Sequence, residues 1–154
     1  MPDRAASLLV LGIDFGARRI GLATGNTLTG TARPLSTVHH DGAPAEEIDR
    51  VIASWKPGRI VVGLPLAADG TETESSRAAR RFAADLQARH PDIGIDFQDE
   101  RYSSRIADAQ FAQARRDGHA RRRDARNLDS VAAAIIVESW LANNHPVNPS
   151  ELAR

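Results

Sequence analysis

Short apolar runs alternate with amphipathic segments along most of this chain. The first run, residues 8–13, has the length and composition of a strand that is covered on both faces. Gly16 allows a tight turn, and residues 19–23 predict the returning strand of a hairpin. Because side chains alternate along a strand, Asp14 shares a face with Gly12, which we expect to leave space beside the carboxylate.

The remaining pattern predicts three further strands and four helices. The strands are predicted at 33–38, 59–64 and 92–97, and the helices at 45–56, 73–87, 104–115 and 128–143. In the first helix the i, i+3, i+4, i+7 spacing makes Ile48, Ile52 and Trp55 part of the apolar stripe, with Trp55 as a core anchor. Residues 131–137 are apolar on nearly all sides of the last helix, which predicts deep burial.

The order of these elements predicts the fold class. Three early strands joined by short turns are expected to pair antiparallel, and later strands separated by helices are expected to be parallel. We therefore predict an α/β fold with a mixed five-stranded sheet and helices on both faces. At 154 residues the chain predicts one domain over 1–154, with mobile tails at 1–7 and 145–154.

Composition excludes several classes of protein. The chain contains no cysteine, which excludes disulfides and thiolate zinc sites. No apolar run reaches membrane-spanning length, and residues 1–7 do not form a signal peptide, so we expect a cytoplasmic protein without a membrane partner. The five histidines lack zinc spacing and are expected at the surface. A Walker A loop and a dinucleotide glycine fingerprint are absent from the sequence.

Charge is balanced overall but uneven along the chain. Net charge is zero, so bulk electrostatics gives no argument for nucleic acid. Nineteen of the 20 basic residues are arginine, however, and residues 101–126 carry a net charge of +5. Arginine forks suit phosphate geometry, although a solvated loop would explain the same segment.

Three acids stand at the edges of apolar elements. Asp14 ends the first strand, Glu100 follows the fifth strand, and Asp129 lies in the first turn of the last helix. Each has a simple alternative as a turn, loop or helix N-terminal residue. The three would converge if the last helix crossed the sheet near the first strand. Convergent carboxylates without His or Cys suit Mg²⁺ or Mn²⁺, which can activate water against a phosphodiester.

With these residues laid out, the chain resembles the YqgF family of Holliday-junction-resolvase-like proteins, also named as pre-16S rRNA nucleases. The matching stretches are GIDFGARRIGLATG (12–25), TGTARPLSTV (29–38), IVVGLPLAADGTET (60–73), DERYSS (99–104) and LDSVAAAIIVESWL (128–141). They cover almost the whole chain in order. The resemblance implies an RNase H-like fold and maturation of the 5′ end of bacterial 16S ribosomal RNA.

The resemblance also implies site residues. Asp14, Glu100 and Asp129 match the catalytic acids, which would be the metal ligands for Mg²⁺ or Mn²⁺. Arg101 and Ser104 match the loop after the catalytic Glu, and would contact substrate phosphate or orient Glu100. Residues 69–71 match a second loop, for which only proximity to the site is expected. Further substrate-binding arginines are expected at Arg115, Arg116, Arg121, Arg122, Arg123 and Arg126.

Two positions depart from the family pattern. Asn127 stands where members often carry Lys two residues before the final Asp, and Arg126 is the residue that would substitute for it. Resolvases commonly have a second acid one helical turn from that Asp, and here the positions are occupied by Arg126, Ala132 and Ala133. This departure weakens the junction-cleavage interpretation.

The leading hypothesis is a metal-dependent endonuclease, a hydrolase acting on the phosphodiester bonds of structured precursor ribosomal RNA, with the small ribosomal subunit as a further partner. The alternatives are a Holliday-junction or branched-DNA resolvase, which needs two symmetric sites, and a non-catalytic RNA-binding assembly factor. A nucleotide-binding fragment of the actin and sugar-kinase type would need a second lobe. We expect a monomer or a weak homodimer.

Overall fold

The computed structural model describes residues 9–101 and the backbone of 125–144, with the side chains of 128–143. The strands are β1 (Leu9–Phe15), β2 (Arg19–Asn26), β3 (Thr31–His39), β4 (Arg59–Leu64) and β5 (Gly94–Asp99), and the helices are α1 (Ala45–Trp55), α2 (Glu74–Arg89) and α3 (Ala125–Asn144). The predicted helix at 104–115, Ser104, the arginines between 105 and 123 and both predicted tails lie outside the described residues. Arg126 and Asn127 are described only as backbone positions of α3.

The five strands form one mixed sheet in the order β3-β2-β1-β4-β5. β1 pairs antiparallel with β2, and β2 with β3, because short turns join these strands. β4 pairs parallel with β1 and β5 pairs parallel with β4, because helices connect them. The predicted mixed five-stranded sheet is confirmed.

Helices cover both faces of this sheet, as predicted. On one face Leu11 and Ile13 of β1 pack in a cluster that includes Ile48 of α1 and Leu86 of α2. On the other face Val10 of β1 packs in a cluster with four residues of α3, namely Ile136, Val137, Trp140 and Leu141. Alternation along β1 therefore places Asp14 on the face that α3 covers.

The bounds of β2 and β3 differ from the prediction. β2 and β3 are longer than predicted and pair over their added residues, Gly25 with Ala32 and Asn26 with Thr31. Leu35 is an extra residue between two pairs, in a bulge beside Pro34. β3 is an edge strand, where the missing N–H of proline is tolerated.

The prediction of Trp55 as a core anchor is wrong, because its surface is 43% exposed. Trp55 is the last residue of α1, and Lys56 follows in the left-handed conformation at φ 50°. The chain turns back towards β4 there, so the buried stripe of α1 consists of Ile48 and Ile52.

The predicted surface position is also wrong for two histidines. His40 and His90 are partly buried. His40 Nε2 lies 2.8 Å from the Gly16 carbonyl oxygen, and His90 Nε2 lies 2.7 Å from Asp49 Oδ1. Both rings tie separate segments together, which sequence spacing alone does not indicate.

Within 9–101 and 125–144, the helices are all too short or too polar to cross a membrane.

Candidate active site

Asp14 is fixed at the end of β1 by the hairpin with β2. Its register partner on β2 is Gly21. A Cβ atom at Gly21 would overlap the backbone carbonyl of Asp129 on α3. The absent side chain therefore lets the first part of α3 lie directly on the hairpin, beside the end of β1. Asp14 and Asp129 come near each other for this reason.

Gly12 also allows α3 to pack closely, but it does not leave the predicted open space beside Asp14. A Cβ atom there would overlap the side chain of Val137 and would lie 3.0 Å from the Ala133 carbonyl oxygen. The space beside Gly12 is thus filled by α3 and is not open next to Asp14. The helix can cross β1 at close range because Gly12 has no side chain.

Glu100 reaches Asp14 across β4. It begins the helical turn that follows β5, while β4 lies between β5 and β1. On β4 the intervening residue is Gly63, and a Cβ atom there would lie 3.1 Å from both Cδ and Oε1 of Glu100. The missing side chain leaves the carboxyl group of Glu100 room to meet Asp14 over the strand.

Asp14 and Glu100 share a hydrogen bond between their carboxyl groups, and we call them the carboxylate pair. Burial, then the charge of Asp14, raises the pKa of Glu100 to about 8. Burial also raises the pKa of Asp14. The hydrogen bond from Glu100 lowers this pKa, and the negative charge of Asp129 raises it further. At neutral pH the pair consequently retains a proton, with Glu100 as the donor and Asp14 as the acceptor.

Asp129 is the third acid, and it faces a cation. Arg19 Nε at the start of β2 lies 3.2 Å from Asp129 Oδ2. This Oδ2 is buried and has no hydrogen bond of good geometry to any residue that the structure describes. The contact is therefore an ion pair that leaves a carboxylate oxygen incompletely satisfied.

The described residues do not form a three-ligand cage. Among 9–101 and 125–144, no group of three or more His, Asp or Glu side chains could hold a metal ion. The structure brings Asp14 and Glu100 into contact and places Asp129 beside them, turned to Arg19. Metal binding by all three acids stays a prediction.

Arg101 is the next residue after Glu100, and its guanidinium is bound to protein groups. Nε and Nη2 donate to the carboxylate of Asp99 at 2.6–3.1 Å, and Nη1 donates to the Ala68 carbonyl at 3.4 Å. The nearby guanidinium holds the pKa of Asp99 below its usual range. A Cβ atom at Gly70 would lie 3.2 Å from Arg101 Nη1. These contacts join the turn that carries Glu100 to the loop after β4.

That loop, residues 65–73, is ordered by its own side chains. Asp69 Oδ1 accepts hydrogen bonds from the backbone N–H and the hydroxyl of Thr71, at 3.0 and 2.7 Å. Thr73 caps α2 and donates its hydroxyl to the Pro65 carbonyl at 2.7 Å. Gly70 has a φ of +87°, which favours glycine. The loop lies beside Arg101, so its predicted proximity to the site agrees with the contacts.

A groove of about 770 Å³ runs beside Asp129, and sequence reasoning missed it. It is lined by residues 16–18 of the β1–β2 turn, by Arg19 at the start of β2, by His39 at the end of β3 with His40 next to it, and by Asp129. We call it the arginine groove because Arg18 and Arg19 supply its cations. The signal that would have found it is the pair of adjacent arginines, Arg18 and Arg19, where the turn after Asp14 leads into β2.

Comparison with known proteins gives a consistent match. A family model described as RuvX, Holliday junction resolvase, matches residues 8–143. A protein of Xanthomonas oryzae pv. oryzae strain PXO99A, named "Putative pre-16S rRNA nuclease", is 44% identical over 147 residues, which cover 92% of this chain and 94% of that protein. A protein of the same name from Xanthomonas campestris pv. campestris strain 8004 is 42% identical over the same coverage.

Two solved structures share the fold. RuvC of T. thermophilus in complex with a Holliday junction substrate superposes with a TM-score of 0.52 at 17% identity, covering 88% of this chain and 94% of that one. The yeast mitochondrial Holliday junction resolvase Ydc2 gives a TM-score of 0.55 at 12% identity, covering 88% and 78%. The predicted RNase H-like fold is confirmed by these similarities.

Proposed function

The chain belongs to the RuvX family, and we propose that it is a metal-dependent endonuclease that processes the 5′ end of precursor 16S ribosomal RNA. The observation that carries this proposal is the carboxylate pair itself, in which Asp14 and Glu100 are hydrogen-bonded to each other with the charge of Asp129 nearby. The names of the relatives that are 42–44% identical support RNA as the substrate.

The donor set fits a divalent cation. Asp14, Glu100 and Asp129 offer only oxygen ligands, and Asp129 Oδ2 is buried without a hydrogen bond among the described residues. Carboxylate oxygens are ligands that Mg²⁺ and Mn²⁺ prefer, and Asp14 and Glu100 would give up their shared proton on holding such an ion. When bound, such an ion lowers the pKa of water and stabilises negative charge on a phosphodiester. The three acids would hold it.

Other residues of the chain would hold the substrate. Arg18 and Arg19 present guanidinium groups in the arginine groove, next to Asp129, where a phosphate of the RNA would lie. Arg101 positions Glu100 through Asp99 and the loop after β4. The arginines at 115, 116, 121, 122, 123 and 126, together with Ser104, are proposed to bind further phosphates. Such binding is sensitive to salt and largely independent of sequence.

The proposed substrate also implies a cellular compartment and a macromolecular partner. A nuclease that matures 16S ribosomal RNA acts in the bacterial cytoplasm, on precursor RNA that is free or part of an assembling small subunit. Cleavage of branched DNA is the second candidate, and the description of the family favours it. A resolvase must cut two strands symmetrically, so this candidate requires a two-fold dimer.

The test is cleavage of a precursor 16S leader RNA with Mn²⁺ by the native protein and by Asp14→Asn and Glu100→Gln. We expect both variants to lose cleavage by at least about a hundredfold while RNA binding is retained. The matched control is Glu138→Gln, because Glu138 is a partly buried acid on α3 that lies about 14 Å along the helix from Asp129. This control should cleave as the native protein does.

Each other outcome has a definite meaning. Cleavage that persists in Asp14→Asn would contradict the carboxylate mechanism. RNA binding without cleavage by the native protein would favour the assembly-factor alternative. Cleavage of a four-way DNA junction by a dimer, with no action on the leader RNA, would favour the resolvase alternative.

A further inference from the structure

A second cavity lies at the same end of β1 as Asp14, but on the opposite face of the sheet. It has a volume of about 440 Å³, and aromatic side chains of β1, α2 and the segment after β3 line it. The rings of Phe15 and Phe82 are stacked, with centroids 4.7 Å apart and an interplanar angle of 24°. The ring of His40 lies 6.0 Å from that of Phe15. We call this cavity the Phe15 pocket.

His40 is held in place on the wall of the Phe15 pocket. Its Nε2 donates to the Gly16 carbonyl at 2.8 Å, and its Nδ1 accepts the Gly42 N–H at 3.1 Å. These two bonds fix one neutral tautomer and the plane of the ring. The wall is therefore a preformed aromatic surface rather than a set of loose side chains.

Two arginines of α2 give the pocket positive charge. Arg89 pairs with Asp85 and with Asp49, yet its Nη2 is buried with no hydrogen-bond partner among the described residues. Arg81 also lines the pocket, is exposed, and forms no ion pair with any acid that the structure describes. Arg81 thus brings an unneutralised guanidinium group to the aromatic rings of this cavity, while the charge of Arg89 is offset by Asp85 and Asp49.

The Phe15 pocket is continuous with the arginine groove. Ala17 and His40 line both cavities, so the two adjoin at the β1–β2 turn. Asp129 also lines the groove. A chain of phosphates that lies in the groove therefore passes within reach of the pocket.

We propose that the Phe15 pocket binds the base of an unpaired nucleotide of the RNA, whose backbone crosses the β1–β2 turn from the carboxylate site. This inference rests on the proposed function for the identity of the ligand as RNA. Base and aromatic ring stack regardless of sequence, and guanidinium planes stack on bases as well. The cavity volume lies within the range of small-ligand sites. A purely aliphatic ligand would not require the guanidinium groups of Arg81 and Arg89.

The experiment measures binding without cleavage, using the Asp14→Asn protein as background. A leader RNA oligonucleotide carries the fluorescent base 2-aminopurine at each position in turn, and fluorescence is recorded on binding. One position, or two adjacent ones, should be strongly quenched by aromatic stacking. Phe82→Leu keeps an apolar side chain in the core but removes the ring, and Arg81→Gln removes only an exposed charge.

Phe82→Leu should abolish the quenching at that position and weaken RNA binding about tenfold. Arg81→Gln should weaken binding about threefold, while Arg50→Gln on α1, an exposed arginine outside the pocket, should change neither signal. An abasic site at the reporting position should remove the difference between Phe82→Leu and its parent. A difference that remains on the abasic RNA would overturn the proposal.

The two proposals fail separately. A native protein that cleaves the leader, with no position quenched or with quenching unchanged in Phe82→Leu, refutes the pocket and leaves the nuclease. A protein that does not cleave but shows quenching that depends on Phe82 retains the pocket and loses the nuclease. If Phe82→Leu does not fold, the affinity of Arg81→Gln for RNA decides, and an affinity equal to that of the Asp14→Asn parent refutes the pocket. Failure to bind RNA refutes both.

Discussion

Arg19 Nε lies 3.2 Å from Asp129 Oδ2, so a side chain of the hairpin neutralises the acid that α3 brings to the site. Arg19 begins β2 and Asp129 lies near the start of α3, and the two elements touch because Gly21 has no side chain. The same carboxylate is the proposed ligand of a divalent cation. The guanidinium of Arg19 and such a cation would therefore compete for Asp129.

This competition predicts that Arg19→Gln binds Mn²⁺ more tightly than the native protein. Removing a positive charge at this distance raises the attraction of the site for a cation, and we expect an affinity gain of about threefold to tenfold. Isothermal titration with Mn²⁺ in the absence of RNA measures it. Arg18→Gln is the matched control, because Arg18 is adjacent and lines the same groove but forms no ion pair with Asp129. Equal affinities in the two variants would contradict the competition.

Gly21→Ala should destabilise the protein. A Cβ atom at this position overlaps the Asp129 carbonyl, which belongs to helix backbone and cannot move aside as a side-chain tip would. We expect a loss of about 3 kcal/mol in the free energy of unfolding, measured by urea denaturation. Ser36→Ala, at an exposed position of β3, should stay within about 0.5 kcal/mol of the native protein. A loss below about 1 kcal/mol in Gly21→Ala would show that α3 does not pack on the hairpin as described.

Stability without metal should fall as pH rises towards 8. The pKa of Glu100 is raised in the folded protein to about 8 from an ordinary value of 4.5, so the folded state retains a proton that the unfolded chain releases. The stabilisation is complete below pH 4.5 and is lost as pH rises through the folded pKa. The raised pKa of Asp14 acts in the same direction.

Urea denaturation in EDTA at pH 5, 6, 7 and 8 tests this dependence. We expect the free energy of unfolding to fall by on the order of 2 kcal/mol across the series in the native protein. Glu100→Gln, which cannot release a proton, should give a flatter profile. Glu47→Gln, an exposed acid on α1, should follow the native profile. A native profile as flat as that of Glu100→Gln would show that the carboxylate pair does not hold its proton at neutral pH.

The sheet and its covered faces were predictable because they follow from local periodicity. Alternation along β1 placed Leu11 and Ile13 on one face and Asp14 on the other, and the two observed clusters agree. Helical periodicity failed to predict the exposure of Trp55. This residue is the last of α1, and the left-handed Lys56 turns the chain there, so Trp55 lies outside the core. Helical periodicity predicts which face of a helix is buried, but not at which residue of the helix the contact with the core ends.

The contacts of the site were less predictable because they depend on long-range packing. Asp14 meets Glu100 only because Gly63 of an intervening strand leaves room, and Asp129 meets Arg19 only because α3 crosses the hairpin. The matched motifs propose three site acids, but they leave the contact partner of each acid open. Arg19 lies within the first matched stretch and is predicted as the first residue of the returning strand, but no local pattern indicates that its partner is Asp129.

The sequence leaves two roles open for Arg101, which are contact with substrate phosphate and orientation of Glu100. Its guanidinium makes a two-pronged contact with Asp99 and reaches the Ala68 carbonyl, so we expect it to position Glu100 rather than to bind phosphate. Lysine keeps the charge but cannot form the planar fork. Arg101→Lys should therefore lower kcat about tenfold and leave the Kd for RNA within about twofold, measured by single-turnover cleavage and equilibrium binding.

Asp99→Asn removes the other side of that contact, and it should reproduce the loss in kcat without changing how RNA affinity depends on salt. A phosphate-binding Arg101 predicts the opposite pattern, because lysine would preserve most of the affinity and kcat, while Arg101→Gln would weaken binding and reduce its salt dependence by about one ion. The combination of a lower kcat in Arg101→Lys and an unchanged salt slope in Arg101→Gln identifies a positioning residue. A reduced salt slope in Arg101→Gln with a native kcat in Arg101→Lys would assign Arg101 to the substrate instead.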